Sequence, residues 1–331
     1  MTAAPSDAEL VTALRSQGDN RDVAELRRAP YRYATSAPLE EVSVRFADGE
    51  ELGLILKDLA RERLLGDAPA AKPEFLYEPR REIETYRRIL APAGIGPRLF
   101  ASVADADPPR HWLAIEKVPG VELWQIGELE VWERVAGWLA AFHASFHGRG
   151  AELLALNPHL LEHSESWYGS WRERASAALR ASADPRAGEL GPALERYGDV
   201  AAALAAMPTT LIHGELYPAN VLVVREARPP DVRPVDWEMA AVGPGLVDLA
   251  ALVEGWGAIE RDRLVAAYRA GLAAGGAPVP DGDSLGADLL RCRLHLALQW
   301  LGWAPDWRPP AEHAHDWLDK ALSLARELDL L

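Results

Sequence analysis

Residues 211–224, LIHGELYPANVLVV, and residues 233–250, RPVDWEMAAVGPGLVDLA, decide the fold of this chain. Valine-rich runs after Asn220 and before Asp236 predict the two strands of a hairpin. Glu215 lies five residues before Asn220. Phosphoryl transfer needs a carboxylate beside the acceptor hydroxyl and oxygen ligands that hold Mg²⁺ against the phosphates. The hairpin is expected to bring Asp236 back beside Asn220, so these segments predict a site of that kind.

The sequence HGELYPAN resembles the HGDxxxxN loop of aminoglycoside phosphotransferases and their choline-kinase-like relatives, and VDWE resembles their metal-binding IDxE segment. The resemblance implies that Glu215 is the catalytic acid or base and that His213 shapes the loop. It also implies that Asn220 and Asp236 bind Mg²⁺, and that Asp248 braces the catalytic loop. The family carries aspartate where Glu215 stands, and a side chain longer by one methylene puts catalysis in question.

Residues 41–59, EVSVRFADGEELGLILKDL, alternate apolar and polar side chains on both sides of an Asp-Gly pair. This pattern predicts a β-hairpin. Apolar residues at helical spacing predict a leading helix within residues 7–28, and further strands are expected near residues 98–104 and 111–118. Residues 128–147 repeat apolar side chains at intervals of three and four, which is typical of a core helix.

Lys57 ends the second strand of this predicted hairpin. A kinase needs a strand lysine on the α and β phosphates and a helix glutamate that holds it. Glu82, in a predicted helix over residues 78–91, fits that role, with Glu84 and Glu78 as competitors. The alternative for Lys57 is a surface lysine at a strand end.

Three further parts of the nucleotide site follow from the resemblance. The strand WLAIEKVPG resembles the hinge that holds adenine through its backbone, here from Glu116 to Val118. Leu222 and Val235 are expected beneath the base, with core packing as the alternative. The phosphate-covering loop is expected near YRYATSAPLEEV, which has no glycine, so Ser36 is the candidate phosphate contact there.

The acceptor of such enzymes lies between the catalytic loop and helices of the second lobe. Tryptophans are frequent in those regions of this sequence: Trp167, Trp171, Trp300, Trp303 and Trp307. They are candidates for an aromatic wall against a sugar face or a cation, with core packing as the alternative. Carboxylates that would pair with substrate amines are Glu254, Asp306 and Glu312, with a solvated acidic face as the alternative.

Composition narrows the functional classes. The 331 residues carry a formal net charge of −15, which disfavours nucleic acid and anionic membranes as partners. Cys292 is the single cysteine, so no internal disulfide is expected, and the start MTAAPSDAEL lacks the features of a signal peptide. These features predict a cytoplasmic protein. His143 and His147, four apart on an apolar helix, are interpreted as structural because no cysteine or histidine cluster accompanies them.

The sequence therefore predicts an α+β, bilobal protein kinase-like fold. Residues 1–118 are expected to form an antiparallel-sheet lobe that binds nucleotide, and residues 119–331 a mostly helical lobe with the catalytic loop and acceptor site. The expected reaction moves the γ-phosphate of ATP, with Mg²⁺, to a hydroxyl of an aminoglycoside, a sugar or a related metabolite. Two alternatives stay open: a Ser/Thr kinase acting on a peptide natural-product precursor, and an inactive pseudokinase that binds nucleotide or a partner.

Overall fold

The structure is a computed structural model that describes residues 4–31, 36–66, 68, 72–106, 109–227, 231–303 and 315–331. The chain divides into two compact units. The first comprises Met1–Val121, Leu156–His159 and Leu222–Glu238, and the second comprises Glu122–Ala155, Leu160–Val221 and Met239–Leu331.

A five-stranded antiparallel sheet forms the centre of the first unit. The strand order is β1-β2-β3-β5-β4, and the strands are β1 Val23–Pro30, β2 Leu39–Phe46, β3 Glu51–Asp58, β4 Leu99–Ala106 and β5 Pro109–Glu116. The leading helix, α1, covers only Asp7–Ser16 and begins with a capping box between Ser6 and Glu9. The predicted leading helix within residues 7–28 is present, and the later part of that range enters the edge strand β1, which the sequence pattern did not identify. That strand is rich in charged residues because an edge strand has only one neighbour to pair with.

The predicted hairpin is β2 and β3. Gly49 adopts a φ of 92°, a left-handed conformation that glycine reaches without strain. The Phe46 amide donates to the Glu50 carbonyl at 2.9 Å and closes the turn. Alternate side chains of β2, including Val42 and Val44, are buried in the core of this unit. The turn chemistry and the period-two pattern therefore agree on one register, as the sequence predicts.

One helix packs on strands β4 and β5 of this sheet. Helix α2, Pro79–Thr85, begins at Glu78, whose side chain caps it, and continues as a π-helical stretch, Tyr86–Leu90, and a short turn, Ala91–Ala93. Its buried side chains include two charged ones, Arg81 and Glu82. Because buried charges need partners, the elements packed around this helix must supply groups that pair with these two side chains.

Two three-stranded sheets and the remaining helices complete the described structure. One sheet has the order β10-β9-β6, with β6 Val121–Glu122, β9 Val221–Val224 and β10 Asp231–Pro234. The other has the order β7-β11-β8, with β7 Leu161–Glu162, β8 Thr209–Ile212 and β11 Ala241–Pro244. The remaining α-helices are α3 Leu129–Phe146, α4 Gly150–Leu156, α5 Glu165–Ala181, α6 Gly191–Ala205, α7 Leu246–Val253, α8 Ala258–Ala274, α9 Gly282–Trp303 and α10 Trp317–Glu327. Among the helices of these described ranges, none combines the length and apolar character that a membrane crossing requires.

The core of the second unit contains two fully enclosed histidines. The His163 ring stacks on Trp167, and the His295 ring meets Tyr168 edge to face. Nδ1 of His295 lies 3.1 Å from the Tyr197 hydroxyl. Burial lowers the pKa of His163 from its ordinary value near 6.5 to about 4, and burial also lowers the pKa of His295 well below that ordinary value. Both rings are therefore neutral in the folded chain at neutral pH.

We expect these histidines to make the fold sensitive to acid. The unfolded chain binds protons near pH 6.5 and the folded chain only near pH 4 at His163, so the free energy of unfolding falls as pH drops through that window. His163→Phe keeps a ring against Trp167 and should reduce the loss of stability between pH 8 and pH 5 by roughly 2 kcal/mol. Urea denaturation at both pH values measures this loss. His147→Phe, at a partly exposed site, is the control, and an unchanged loss in His163→Phe would contradict the assignment.

Candidate active site

The Lys57 ammonium lies between two carboxylates in the first unit. Its Nζ donates to Oε2 of Glu82 at 2.7 Å and to Oδ1 of Asp236 at 2.6 Å. Only 7% of Lys57 and 1% of Glu82 is exposed. The other two glutamates considered as partners of Lys57 make different contacts: Glu84 pairs with two arginines of its own helix, and Glu78 caps α2. The predicted pairing of Lys57 with Glu82 is therefore present.

Burial and neighbouring charges oppose one another at Lys57. Burial alone would lower the pKa of the ammonium, but the carboxylates of Asp236, Glu82 and Glu238 outweigh it and raise the pKa well above its ordinary value. The lysine is therefore a permanent positive charge. A buried ammonium held in this way is suited to contact phosphate oxygens, which carry negative charge.

Asp236 follows strand β10 and has an unusual backbone. Its φ is 65°, in the left-handed region that residues other than glycine seldom adopt and that aspartate tolerates better than most. The following residues are tied down: the Trp237 indole nitrogen donates to the Pro234 carbonyl at 3.2 Å, and the Glu238 carboxylate pairs with Lys72. This turn aims the Asp236 carboxylate at Lys57.

Arg81 is a buried cation of this region that the sequence patterns did not identify. It donates through Nη1 to the carbonyl of Glu238 at 2.7 Å and of Leu76 at 3.0 Å, and through Nε to that of His159 at 2.8 Å. Burial lowers its pKa to about 10, so it stays charged at neutral pH. In the sequence, only its position directly before Glu82 pointed to a place near the site.

The other predicted nucleotide contacts also have defined positions in the first unit. The Glu116 amide donates to the Arg98 carbonyl at 2.8 Å and the Lys117 amide to the Gly53 carbonyl at 3.0 Å, so both are used within the sheet. Val118 follows them, and Leu222 lies half-buried on β9. Ser36 lies at a bend before β2, where its carbonyl accepts the amide of Leu65.

A single buried carboxylate organises the catalytic loop in the second unit. Asp248 accepts the amide of His213 at 2.7 Å and the amide of Gly214 at 2.9 Å, and its Oδ2 lies 3.3 Å from Nε2 of His143. Burial would raise its pKa, but the hydrogen bond from His143 and the other donors lower it. Asp248 is therefore an ionised brace of this loop, as the resemblance implies, and His143 is structural.

Glycine is required within that loop. Gly214 has a φ of 83°, and a Cβ atom there would run into the Met239 carbonyl. The loop continues with the Glu215 amide, which donates to Nδ1 of His213 at 3.3 Å. His213 thus shapes the backbone, while the Glu215 side chain is partly exposed.

Asn220 has an orientation that suits a cation. Its amide nitrogen donates to the Glu215 carbonyl at 2.9 Å, which turns the amide oxygen the other way. Asn220 belongs to the second unit and Asp236 to the first. An amide oxygen and a carboxylate are hard oxygen donors of the kind that Mg²⁺ takes from proteins, so each of these residues offers a suitable ligand atom. Within the described residues, no group of three or more His, Cys, Asp or Glu side chains is arranged to hold a metal.

Aromatic rings border the catalytic loop. Tyr217, inside the loop, lies 5.4 Å from Trp300 between ring centroids, and Trp300 stacks on Trp317 at 5.4 Å with 5° between the planes. Trp303 packs against Trp171. The Glu254 carboxylate contacts Lys320 at 2.6 Å and Arg293 at 3.4 Å. Of the sequence candidates, Asp306, Trp307 and Glu312 lie outside the described residues.

The family of the chain is shown by its sequence. A model of the phosphotransferase enzyme family matches residues 56–285, more than two thirds of the chain. The chain belongs to this family. It is accordingly a kinase with a hydroxyl acceptor. None of the curated proteins matches the sequence.

Solved structures of similar fold agree with the kinase-like fold class. A choline/ethanolamine kinase family protein from Mesorhizobium loti is 16% identical, with 98% of this chain and 96% of that chain covered, at a TM-score of 0.59. The macrolide 2'-phosphotransferase from Brachybacterium faecium is 21% identical, with 96% and 98% covered, at 0.56. A spectinomycin phosphotransferase in complex with ADP and spectinomycin is 13% identical, with 99% and 100% covered, at 0.55. At these identities the likeness shows the fold, and the predicted fold class is confirmed.

In this phosphotransferase family member, Asp248→Asn is expected to destabilise the catalytic loop. The substitution removes a buried charge that accepts two backbone amides, and hydrogen bonds to a charged group contribute about 1.5–3 kcal/mol each. Urea denaturation should show a loss of roughly 2–4 kcal/mol in the free energy of unfolding. Asp199→Asn, at an exposed position on α6, is the control. Equal stability of the two variants would show that Asp248 is not the brace.

Proposed function

We propose that the chain transfers the γ-phosphate of ATP to a hydroxyl group of a small molecule, with Mg²⁺ as the metal. The observation that carries the proposal is the Lys57 ammonium held at 2.7 Å from Glu82 and at 2.6 Å from Asp236. A lysine oriented by a helix glutamate is the group that contacts the α and β phosphates in kinase-like sites. The spectinomycin phosphotransferase of similar fold was solved with ADP, which supports a nucleotide as the phosphate donor.

Each side chain has a role in this proposal. Asn220 and Asp236 would hold Mg²⁺, which when bound offsets the charge of the phosphates. Glu82 keeps the Lys57 ammonium in place, and Val118, after the sheet-bonded amides, is the hinge backbone for the base. Leu222 packs beneath the base, the backbone of Glu116 belongs to the same hinge, and Ser36 contacts phosphate from the loop before β2.

Glu215 is proposed to position the acceptor hydroxyl and take its proton. The transition state of phosphoryl transfer is loose, so catalysis rests on positioning and electrostatics more than on a strong base. A glutamate serves where the loop places its carboxylate at the hydroxyl, and His213 sets that placement through the Glu215 amide.

The acceptor is proposed to be a compound with a ring face or an apolar surface. Tyr217 and Trp300 place aromatic rings beside the loop, and Trp303 lies at the end of the same helix as Trp300. Neighbours of similar fold include macrolide and spectinomycin phosphotransferases and a choline/ethanolamine kinase family protein, which supports a small molecule. Glu254 remains the candidate for a substrate amine, in competition with Lys320 and Arg293.

A pseudokinase is the second candidate, because Glu215 stands where the family carries aspartate. In that case the chain would bind nucleotide or a partner without turnover. The retained set of Lys57, Glu82, Asn220 and Asp236 supports the active enzyme, since the donors for phosphate and metal are in place.

Mg²⁺-ATP binding is the first consequence that we expect. Lys57→Met and Asp236→Ala should each weaken the affinity about 10-fold to 100-fold, because each removes a charged contact of about 1.5–3 kcal/mol. Isothermal titration calorimetry on folded protein measures this. Arg45→Met and Asp199→Ala, at exposed positions, are the controls. A folded wild type that does not bind Mg²⁺-ATP would refute the proposed function.

Substitution of Glu215 separates the active enzyme from the pseudokinase. We expect Glu215→Ala to lower turnover about 100-fold to 10,000-fold, the usual contribution of a general base, with Mg²⁺-ATP affinity within about threefold of wild type. ADP release is measured with kanamycin, spectinomycin, a macrolide, choline and glucosamine as acceptors. Turnover that appears only in Glu215→Asp would favour the pseudokinase, whereas turnover in wild type that Glu215→Ala does not reduce would exclude Glu215 as the base.

A further inference from the structure

Arg81 and Glu82 are consecutive residues of α2, and both are enclosed in the first unit. Glu82 contacts the Lys57 ammonium, which also contacts Asp236. Arg81 donates at 2.7 Å to the carbonyl of Glu238, two residues beyond Asp236. The contacts therefore form a closed ring, from the lysine to the helix, from the helix to residue 238, and along the chain back to Asp236.

The backbone of Asp236 gives this ring its importance. A left-handed residue other than glycine persists only where the surrounding structure holds it, and its strain costs on the order of 1 kcal/mol or more. Two residues beyond Asp236, on the side away from β10, a charged side chain holds the carbonyl of Glu238. The donor is Arg81, and its other two hydrogen bonds fix the guanidinium to the Leu76 and His159 carbonyls.

The backbone of Arg81 is held as well as its guanidinium. The Arg81 carbonyl accepts the Thr85 hydroxyl at 2.7 Å and the amide nitrogen of Asn157 at 3.0 Å. Asn157 also donates to the Thr85 hydroxyl, so a polar network surrounds both ends of the arginine. A planar fork fixed at several points can set the position of a neighbouring segment more narrowly than a flexible cation can.

We infer that Arg81 is a positioning residue of the phosphoryl-transfer site: it fixes the left-handed turn at Asp236 and so aims that carboxylate at Mg²⁺ and at Lys57. The inference rests on the proposed function, because it assigns the metal ligand that Arg81 serves. Arg81 acts through the Glu238 carbonyl and through Glu82, its neighbour on α2, and touches neither nucleotide nor acceptor.

Arg87 provides a matched comparison on the continuation of the same helix. It donates through Nη2 to the Ser102 carbonyl at 2.6 Å and through Nε to the Ser102 hydroxyl at 2.7 Å. It therefore also ties the helix to a backbone carbonyl, but on strand β4 instead of at the Asp236 turn. A general effect of losing an arginine from this helix should appear in substitutions of both Arg81 and Arg87. An effect on the metal ligand Asp236 should appear only when Arg81 is substituted.

The test compares Arg81→Met, Arg81→Lys and Arg87→Met in the full chain. Calorimetry gives the affinity for ADP with Mg²⁺ and with EDTA, and the ratio of the two affinities reports the metal ligands. We expect Arg81→Met to lower this ratio about 10-fold, the effect of losing one charged hydrogen bond, while the EDTA affinity changes less than about threefold. Arg81→Lys should recover part of the ratio, and Arg87→Met should leave it unchanged.

Hydrogen–deuterium exchange of the nucleotide-free protein provides a second measurement that needs no metal. Peptides over residues 233–240 should exchange about 10-fold faster in Arg81→Met and at the wild-type rate in Arg87→Met, because the clamp on the turn is lost only in the first. If Arg81→Met does not fold, Arg81→Lys decides by the same two readings.

Three outcomes would overturn the inference. Arg81 variants that keep the wild-type ratio and exchange rate would show that the turn holds itself. Equal losses in Arg81→Met and Arg87→Met would show a general effect on the helix. A wild type that does not bind Mg²⁺-ADP would refute the proposed function together with the inference, whereas normal binding with an unaffected variant refutes the inference alone.

Discussion

The burial of one ammonium group between two carboxylates constrains the whole first unit. Moving the Lys57 charge out of water costs several kcal/mol unless partners replace the lost solvation. Glu82 and Asp236 supply those partners from a helix and from the turn after β10, at positions far apart in sequence. Strand β3, helix α2 and the 236 turn must therefore meet at this point. Their meeting places two carboxylates around one ammonium.

In the second unit, the buried charge that constrains the structure is negative. Asp248 is fully buried, and its charge is balanced by two backbone amides of the catalytic loop and by the His143 ring. A carboxylate that accepts backbone amides fixes the geometry of the backbone that donates them. Gly214 completes this arrangement, since only glycine fits beside the Met239 carbonyl. Groups of the chain itself thereby shape the loop.

Local chemistry allowed much of this arrangement to be predicted from sequence. The Asp-Gly turn gave β2 and β3, the spacing around Glu215 and Asp236 gave the loop and the hairpin, and the pair of Lys57 with Glu82 followed from the family pattern. The edge strand β1 was missed because VAELRRAP mixes charged residues with apolar ones at no clear period of two. Arg81 was missed for another reason: its partners are the backbone carbonyls of residues 76, 159 and 238. Every residue has a backbone carbonyl, so the residue types at these positions do not indicate the contacts.

Lys57 and Arg81 have different roles because their charged groups differ in shape and rigidity. The chain has lysine only at positions 57, 72, 117 and 320, and arginine provides most of its positive charge. Arginine at position 81 keeps its charge even though burial lowers its pKa to about 10, and its planar fork matches several carbonyls at once. A lysine at position 57 is a compact point charge on a flexible stem, able to move between carboxylates and phosphate oxygens. Position 57 therefore carries a point charge between the carboxylates of Glu82 and Asp236, whereas the fork at position 81 holds three backbone carbonyls.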